Sequence, residues 1–336
     1  MHRRYDLDSH KLKWFPLNVS SLIVGQWPIN PITVEIGTTS SCNQACFFCA
    51  YDWTKEPKHL PLVAFKHLTE HKKFWPQSVV LSGDGEPTLH PGFEEILEIF
   101  NQTEIRLGLM TNGTYERLPK MLEYFDWVRF SINAGTPKRY QEVHGKDHWD
   151  RVMDNLGACV KASKNTTIGV QCLLLEPRYS DFAQLAQACY NRKVDYLVFK
   201  PYSQHPRSVN RVKINYADWN FNLMPPWNWC HLREKSIRQT LIPKQYEHCR
   251  AAPFFSLVTA DGSVYPCAQF VGDRDYLIGS LQYQSWESII AGSRRKKIMH
   301  TLSKCDVSFC RNPCRLDAAN EYLHRVDNLQ PHDHFL

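Results

Sequence analysis

The sequence predicts an α/β fold: a parallel sheet of six strand–helix units, followed by a small α+β unit rich in cysteine. Three observations carry this. Between residues 32 and 202, six short β-branched or apolar runs alternate with segments of helical spacing, as in strands joined by right-handed crossover helices. That alternation stops at Tyr202. The twelve cysteines are unevenly spread, with three in residues 42–49 and five in residues 249–314.

The elements follow in order. Residues 1–31 read as an irregular extension, because Pro28 and Pro31 interrupt regular structure there. ITVEIG (32–37) alternates and is β-branched, which predicts a strand. Residues 60–75 have helical spacing with Pro61 in the first turn. SVVLSG (78–83) is a short apolar run typical of a buried parallel strand. A helix near 92–102, a strand at 104–111 and a helix near 116–124 come next. WVRFSIN (127–133) is the fourth strand, with helices near 136–143 and 149–163. TTIGVQCLLL (166–175), a helix near 180–191 and DYLVFKPY (195–202) complete the series. A partial (β/α)6 barrel and an open doubly wound sheet both accommodate six such units. The expected core therefore spans 32–202. Residues 203–248, with Pro225, Pro226 and three tryptophans, read as an irregular bridge. In the cysteine-bearing unit, 249–318, SLVT and SVYPC flank Asp261-Gly262, a hairpin signal. Helical spacing returns at 285–302, and residues 319–336 read as a tail, loosely ordered beyond Leu329.

At 336 residues the chain is long enough for about two units of ~150 residues each. Its 43% hydrophobic and 22% charged residues are those of a globular enzyme. No apolar run approaches the ~18 residues that a membrane-spanning helix needs. The N-terminal residues lack the apolar segment and cleavage site of a signal peptide, so a cytoplasmic protein is expected. The net charge of +6 is small and dispersed. It is compatible with an anionic substrate, and no basic stripe or nucleic-acid module argues for RNA or DNA. In a reducing cytosol, clustered cysteines point to metal ligation or catalysis.

Cys42, Cys46 and Cys49 form a C-x3-C-x2-C run directly after the first strand. Three thiolates in one loop can bind three irons of a cubane, and the missing fourth ligand leaves one iron open. A zinc knot with a remote fourth ligand is the alternative, although zinc sites favour C-x2-C pairs answered by a second pair. The second strand ends in SGDGEPTLHP (82–91), where Gly83 and Gly85 let backbone approach a ligand and Glu86 offers a carboxylate to an ammonium group. LMTNG (109–113) and FSINAG (130–135) place polar side chains at carboxyl ends of strands, where ligands bind in such sheets.

Together these motifs resemble the radical S-adenosylmethionine (SAM) superfamily. The resemblance implies a partial (β/α)6 TIM-like barrel in which Cys42, Cys46 and Cys49 ligate a [4Fe-4S] cluster, and SAM chelates the open iron. Reduction then cleaves SAM to a 5′-deoxyadenosyl radical that abstracts a substrate hydrogen. Phe48 matches the family's aromatic before the last cysteine. Gly83-Asp84-Gly85-Glu86-Pro87 is a close variant of the run that holds the methionine amino group. Ser131 and Asn133 become contacts to the SAM ribose or carboxylate, with helix capping and turn formation as the bland alternative. Where many relatives carry an arginine, this chain has Val143; Arg139 is a substitute to consider.

The second cysteine group, with a hairpin between Cys249 and Cys267 and then Cys305, Cys310 and Cys314, resembles the SPASM module, or its shortened form, Twitch. The full form has seven cysteines for two clusters; with five here, one auxiliary [4Fe-4S] cluster is implied, held by Cys249, Cys267, Cys310 and Cys314. Cys305 could replace one of these, Cys230 is an outside candidate, and a structural zinc is the alternative occupant. Cys159, Cys172 and Cys189 lie in apolar runs and read as core residues. Lys200, ending the sixth strand, points to the rim where the other motifs lie and could meet SAM, an anionic substrate or solvent.

The expected function is that of a radical SAM enzyme, fed by an external electron donor such as flavodoxin or ferredoxin. It would oxidise or rearrange a small hydroxylated or anionic metabolite such as a sugar or cyclitol, with the auxiliary cluster as electron acceptor. Small molecules are preferred because only about 30 residues precede the first strand, leaving no evident leader-peptide-binding domain. The alternatives are a peptide or protein maturase and a non-catalytic iron–sulfur carrier or sensor.

Overall fold

In the computed structural model, which describes residues 10–50, 56–205 and 208–334, the six expected strands form in sequence order. They are β1 (Thr33–Gly37), β2 (Ser78–Ser82), β3 (Arg106–Thr111), β4 (Trp127–Ser131), β5 (Thr167–Leu174) and β6 (Tyr196–Pro201). Each is parallel to the next. The helices α2 (Leu62–Thr69), α3 (Phe93–Asn101), α4 (Pro137–His144), α5 (Trp149–Ala162) and α6 (Tyr179–Asn191) lie between them, and α1 (Pro16–Ile23) precedes β1.

The strand register divides the sheet into two unlike faces, since paired residues in parallel strands share a face and faces alternate along each strand. On one face Val34, Ile36, Val79, Leu81, Leu107, Leu109, Val128, Phe130, Ile168, Val170, Leu197 and Phe199 are all buried. They share one core with Phe65, Ile96, Tyr140, Leu156 and Leu185 of the helices. Burial of this kind stabilises by roughly 25 cal/mol per Å2 of apolar surface. The other face carries Glu35, Met110, Arg129, Ser131, Gln171 and Lys200, which the register places side by side. This sheet curls around its polar face. Six flat strands would hold β1 and β6 about 24 Å apart at the usual ~4.8 Å spacing. Yet the charges of Glu35 on β1 and Lys200 on β6 act on each other. A partial barrel, and not a flat doubly wound sheet, results.

Several elements differ from expectation. A short strand, β7 (Cys230–Leu232), lies in the segment read as an irregular bridge and extends the sheet beside β6. It is followed by α7 (Glu234–Leu241), which buries Ile237. The hairpin strands β8 (Phe255–Val258) and β9 (Ser263–Tyr265) form as predicted, but β8 also pairs in parallel with β1. With β10 (Gly279–Ser280), one ten-stranded sheet runs β10-β9-β8-β1-β2-β3-β4-β5-β6-β7. The cysteine-bearing unit is thus built onto the open edge of the barrel. Expected helix 116–124 is two separate turns of 3-10 helix, at Leu118–Lys120 and Leu122–Tyr124; Pro119 lacks the N–H that a continuous helix would use. The helical pattern at 285–302 forms α8 (Trp286–Ala291) and α9 (Ser293–Leu302). Within the expected extension and tail, α1 starts at Pro16, and α10 (Asp317–Asp327) buries Leu323. Their apolar residues form a second small core under β8 with Phe255 and Leu257. Fully buried Arg295 closes this region by donating to the carbonyls of Ile29, Ile290 and Pro253. Among the described residues no helix is long and apolar enough to cross a membrane.

Candidate active site

Beyond a single antiparallel bridge between Thr39 and His59 the loop after β1 has no regular element, so its shape comes from hydrogen bonds to neighbouring strand ends. Asn43 Nδ2 donates to Thr114 Oγ1, and Asn112 Nδ2 donates to Asn43 Oδ1, at 2.9 and 2.7 Å. The N–H groups of Ala45 and Phe47 reach the His144 and Val143 carbonyls at the end of α4, which have no partner inside the helix. This brings Cys42, Cys46 and Cys49 together, each partly accessible. Their thiols feel one another: burial, then Glu86 and Cys49, pushes Cys42 up to about 11. Cys46 is raised by burial and then by Cys49 and Cys42.

Gly83 and Gly85 are required by backbone contact. Gly83 has φ +107°, and a Cβ there would lie 2.8 Å from Gly37 Cα; one on Gly85 would lie 2.3 Å from the Ser41 carbonyl oxygen. Beyond them the Glu86 N–H donates to that same carbonyl at 2.8 Å, so the end of β2 is locked to the start of the cysteine loop. Glu86 is 2% exposed. Its Oε1 accepts from the Thr88 N–H and hydroxyl and from the Thr111 hydroxyl, and its Oε2 accepts from the Asn112 N–H at 2.6 Å. Burial raises its pKa, and these four donors oppose that rise. A carboxylate has about four acceptor positions, so Oε2 retains one. Asp84 faces elsewhere: its Oδ2 accepts the Ala260 N–H at the tip of the β8–β9 hairpin, at 2.9 Å.

Phe48 stands edge-on to His144 and Tyr202. Ser131 lies on the polar face, whereas buried Asn133 accepts the Leu173 N–H through Oδ1 at 2.7 Å. Arg139 is neutralised by Glu142 and Glu176. Cys159, Cys172 and Cys189 are buried. Cys230 is paired in register with Leu197 on the helix-facing side and interacts with Cys189, away from both cysteine groups.

His144 opens HGKDH, a polar run whose histidines are expected mostly at the surface, yet it is buried. Its Nε2 accepts the Asn133 N–H at 3.2 Å, leaving the ring proton on Nδ1, 3.3 Å from Cys46 Sγ. Burial pushes its pKa down to about 3, so the ring is neutral. It stacks on Tyr140, whose hydroxyl accepts from Gln44 of the loop.

In the second group, Cys249 is pushed up to about 12 by burial and then by Cys314, with Cys305 and Cys310 also acting. Cys267 is raised by burial and by Cys314, Cys249 and Cys310. Cys305 acts on Cys249 and Cys310, and its thiol donates to the Leu302 carbonyl at 3.1 Å. Residues 202–205 join the two groups. Tyr202 donates to the Phe48 carbonyl, Ser203 to the Pro313 carbonyl, and His205 lies 2.5 Å from the Ala268 carbonyl beside Cys267.

Residues 36–188 match the Radical SAM superfamily, and residues 249–315 match the iron–sulfur cluster-binding domain SPASM. The chain thus carries a radical SAM domain followed by a SPASM domain. Members of the superfamily are enzymes, and its two domains imply [4Fe-4S] clusters and SAM. A relative from Pyrococcus furiosus, the tungsten-containing aldehyde ferredoxin oxidoreductase cofactor-modifying protein, is 24% identical over 260 residues, covering 72% of each chain. A GTP 3′,8-cyclase from Haemophilus ducreyi is 27% identical over 135 residues, 37% of this chain and 39% of that one. Among solved structures, Streptococcus suis SuiB bound to the precursor peptide SuiA has a TM-score of 0.67 at 17% identity, over 97% of this chain and 80% of that one. The structure of anSMEcpe with bound AdoMet has a TM-score of 0.61 at 19% identity, over 82% of this chain and 81% of that one. These two share the radical SAM fold with this chain.

The donor sets fit clusters. Each group offers thiols that act on one another, and cysteine thiolates are the donors that hold iron–sulfur clusters.

Two outcomes follow. The folded-state pKa of Asp84 is about 6, raised chiefly by burial above its ordinary 3.8. A raised acid contributes stability that is fully present below about pH 4 and lost as pH climbs through 6. Asp84→Asn keeps an acceptor for Ala260 and removes the charge. Thermal unfolding should show a gain of about 2 kcal/mol at pH 8 that shrinks toward pH 5; an equal change at both pH values contradicts the assignment. His144→Leu removes an N–H from Cys46, which should lower the midpoint potential of the reconstituted first cluster by roughly 50 mV. His144→Asn, whose amide can stand where Nδ1 stands, should restore it in an EPR-monitored titration.

Proposed function

We propose that this protein is a radical SAM enzyme that removes a hydrogen from a substrate held against the polar face of the barrel, between two iron–sulfur clusters. Cys42, Cys46 and Cys49 would hold the SAM-binding [4Fe-4S] cluster, and Cys249, Cys267, Cys310 and Cys314 the auxiliary one. When bound, the first cluster and SAM supply reductive SAM cleavage and hydrogen-atom abstraction. The chain's own residues bind and orient. The acceptor left on Glu86 Oε2 suits the SAM ammonium. The Gly83–Glu86 backbone sets its distance from the loop, Phe48 and Tyr202 cover the cysteines, and Ser131 faces the substrate. Asp84 and Asn133 serve this arrangement indirectly, by fixing the β8–β9 turn and the end of β5.

The observation that carries this reading is that residues 202–205 tie both cysteine groups to the same mouth of the polar face. A substrate there lies beside a site of abstraction and beside an electron acceptor, which suits two-electron oxidation of a small hydroxylated or anionic metabolite. An external electron donor such as flavodoxin or ferredoxin would reduce the first cluster. A second reading, peptide modification, is favoured by the likeness to SuiB, solved with its precursor peptide.

Anaerobically reconstituted protein should hold about eight irons, as expected of two cubanes, and should form 5′-deoxyadenosine on reduction with SAM. Replacing Cys42, Cys46 and Cys49 by alanine should abolish that product and leave about four irons. Cluster spectra without 5′-deoxyadenosine in the unaltered protein would identify a redox carrier instead. Mass spectrometry with hydroxylated phosphates or carboxylates against candidate peptides separates the two substrate readings.

A further inference from the structure

The polar face is cationic in a way that neither cysteine group explains. The register puts Arg129, Gln171 and Lys200 on one face of three adjacent strands: Arg129 pairs with Gly169, Gln171 with Val198, and Leu173 with Lys200. Trp127 and Tyr196 stand on the same face, and the Arg129 guanidinium lies against both rings, 5.0 and 5.6 Å from their centroids. Its Nε donates to the Tyr196 hydroxyl at 2.9 Å, which fixes the side chain and leaves its two terminal nitrogens for something else. From the other side, Arg311 and Arg315 descend from the second cysteine segment. Arg311 is held by Ser203 through Nε and one terminal nitrogen, so the second terminal nitrogen is available.

Within this set the only carboxylate is already spent. Glu35 accepts from the Ser82 hydroxyl at 2.6 Å and pairs with Arg315 at 2.5 Å. Lys200 forms no hydrogen bond or ion pair with any described residue, and its charged neighbours are Arg129, Arg315, Arg311 and Glu35. Burial, reinforced by the three arginines, holds its pKa down to about 7. Gln171 adds an independent sign: it is 8% exposed, and its Oε1 is buried with no hydrogen-bond partner. An acceptor left unmet in this way costs about 1–3 kcal/mol, which a ligand hydroxyl or amide would recover.

We propose that Arg129, Lys200 and Arg311 form a binding site for an anionic group of the substrate, a carboxylate or phosphate, and that Gln171 accepts a hydrogen bond from a hydroxyl or amide next to that group. The inference rests on the substrate lying against the polar face, as proposed above. Arg129 supplies two parallel N–H donors suited to a planar or tetrahedral oxyanion. Lys200 supplies a mobile ammonium, and Arg311 closes the site from the cluster side. Arg311 also feels Cys314, so part of its charge answers the thiolates; Arg129 and Lys200 define the anion's place. A bound oxyanion offsets the mutual repulsion of these cations, which Glu35 and Cys314 offset only in part among the described residues. The same cations could instead hold the SAM carboxylate, and the test separates the two sources.

The experiment is calorimetric titration of inorganic phosphate into the reconstituted holoenzyme, with and without saturating SAM. Phosphate should bind with SAM present, at least tenfold more weakly in Lys200→Met and in Arg129→Met, and with unchanged affinity in Lys120→Met, on the exposed surface beyond β3. Loss of phosphate binding on adding SAM would assign the cations to SAM and overturn the proposal. Equal binding in all variants would show an adventitious ion only and overturn it as well. Since Met at Lys200 or Arg129 could disturb the sheet, Gln171→Leu is measured in parallel: it should leave phosphate affinity unchanged but weaken glycerol 3-phosphate, whose hydroxyls can reach Oε1, by about fivefold. Equal loss for both ligands would refute the role of Gln171. Formation of 5′-deoxyadenosine by the unaltered enzyme is scored separately. If that fails, the radical SAM reading fails; if it succeeds and phosphate does not bind, only the anion site falls.

Discussion

The site depends on a buried carboxylate that is bonded to its neighbours instead of to water. Glu86 joins the end of β2 to the end of β3 through Thr88, Thr111 and Asn112. Asn112 continues to Asn43, and Asn43 to Thr114, so a loop with no ladder of its own inherits the rigidity of the sheet. A charge buried in this way is tolerated only when both of its oxygens are hydrogen-bonded, and removing any one donor leaves a costly remainder. This explains why polar residues are concentrated at the carboxyl ends of the strands while the helix-facing side of the sheet is apolar.

Much of this was legible in the sequence because it is periodic or local. The six core strands announce themselves by alternation, and the hairpin by Asp261-Gly262 between two β-rich runs. The cysteine loop and the glycine turn were legible as chemistry, but their physical partners were not. The glycines are demanded by the backbone of residues 37–41. Asp84, adjacent to them in sequence, serves a turn 176 residues away. What local pattern could not reveal is pairing at long range. Cys-His-Leu at 230–232 is too short and too mixed to read as a strand, and becomes one only because β6 offers an edge. His144 is one histidine among fifteen in a polar run; only the fold shows that its two nitrogens bridge Asn133 and Cys46.

The polar face draws residues from units that the sequence treats as separate. Glu35, Arg129 and Lys200 come from the barrel, while Arg311 and Arg315 come from the cysteine-bearing unit. Arg311 is held by Ser203 and Arg315 by Glu35, so both arginines are tied to the barrel. Geometry between the two cysteine groups is thereby set by a shared sheet and by the short stretch 202–205, not by a flexible hinge.

That pairing also has a temporal side. The edge of β1 finds its partner only when residues 255–258 have been made, more than 200 residues later. At the usual 5–20 residues per second this is an interval on the order of 10 to 40 seconds. Throughout it the nascent barrel has an unfinished rim, with the backbone groups on that side of β1 still unpaired. The chain therefore carries its own waiting time during synthesis: an exposed strand edge about a tenth of the way along the polypeptide that only the last quarter closes.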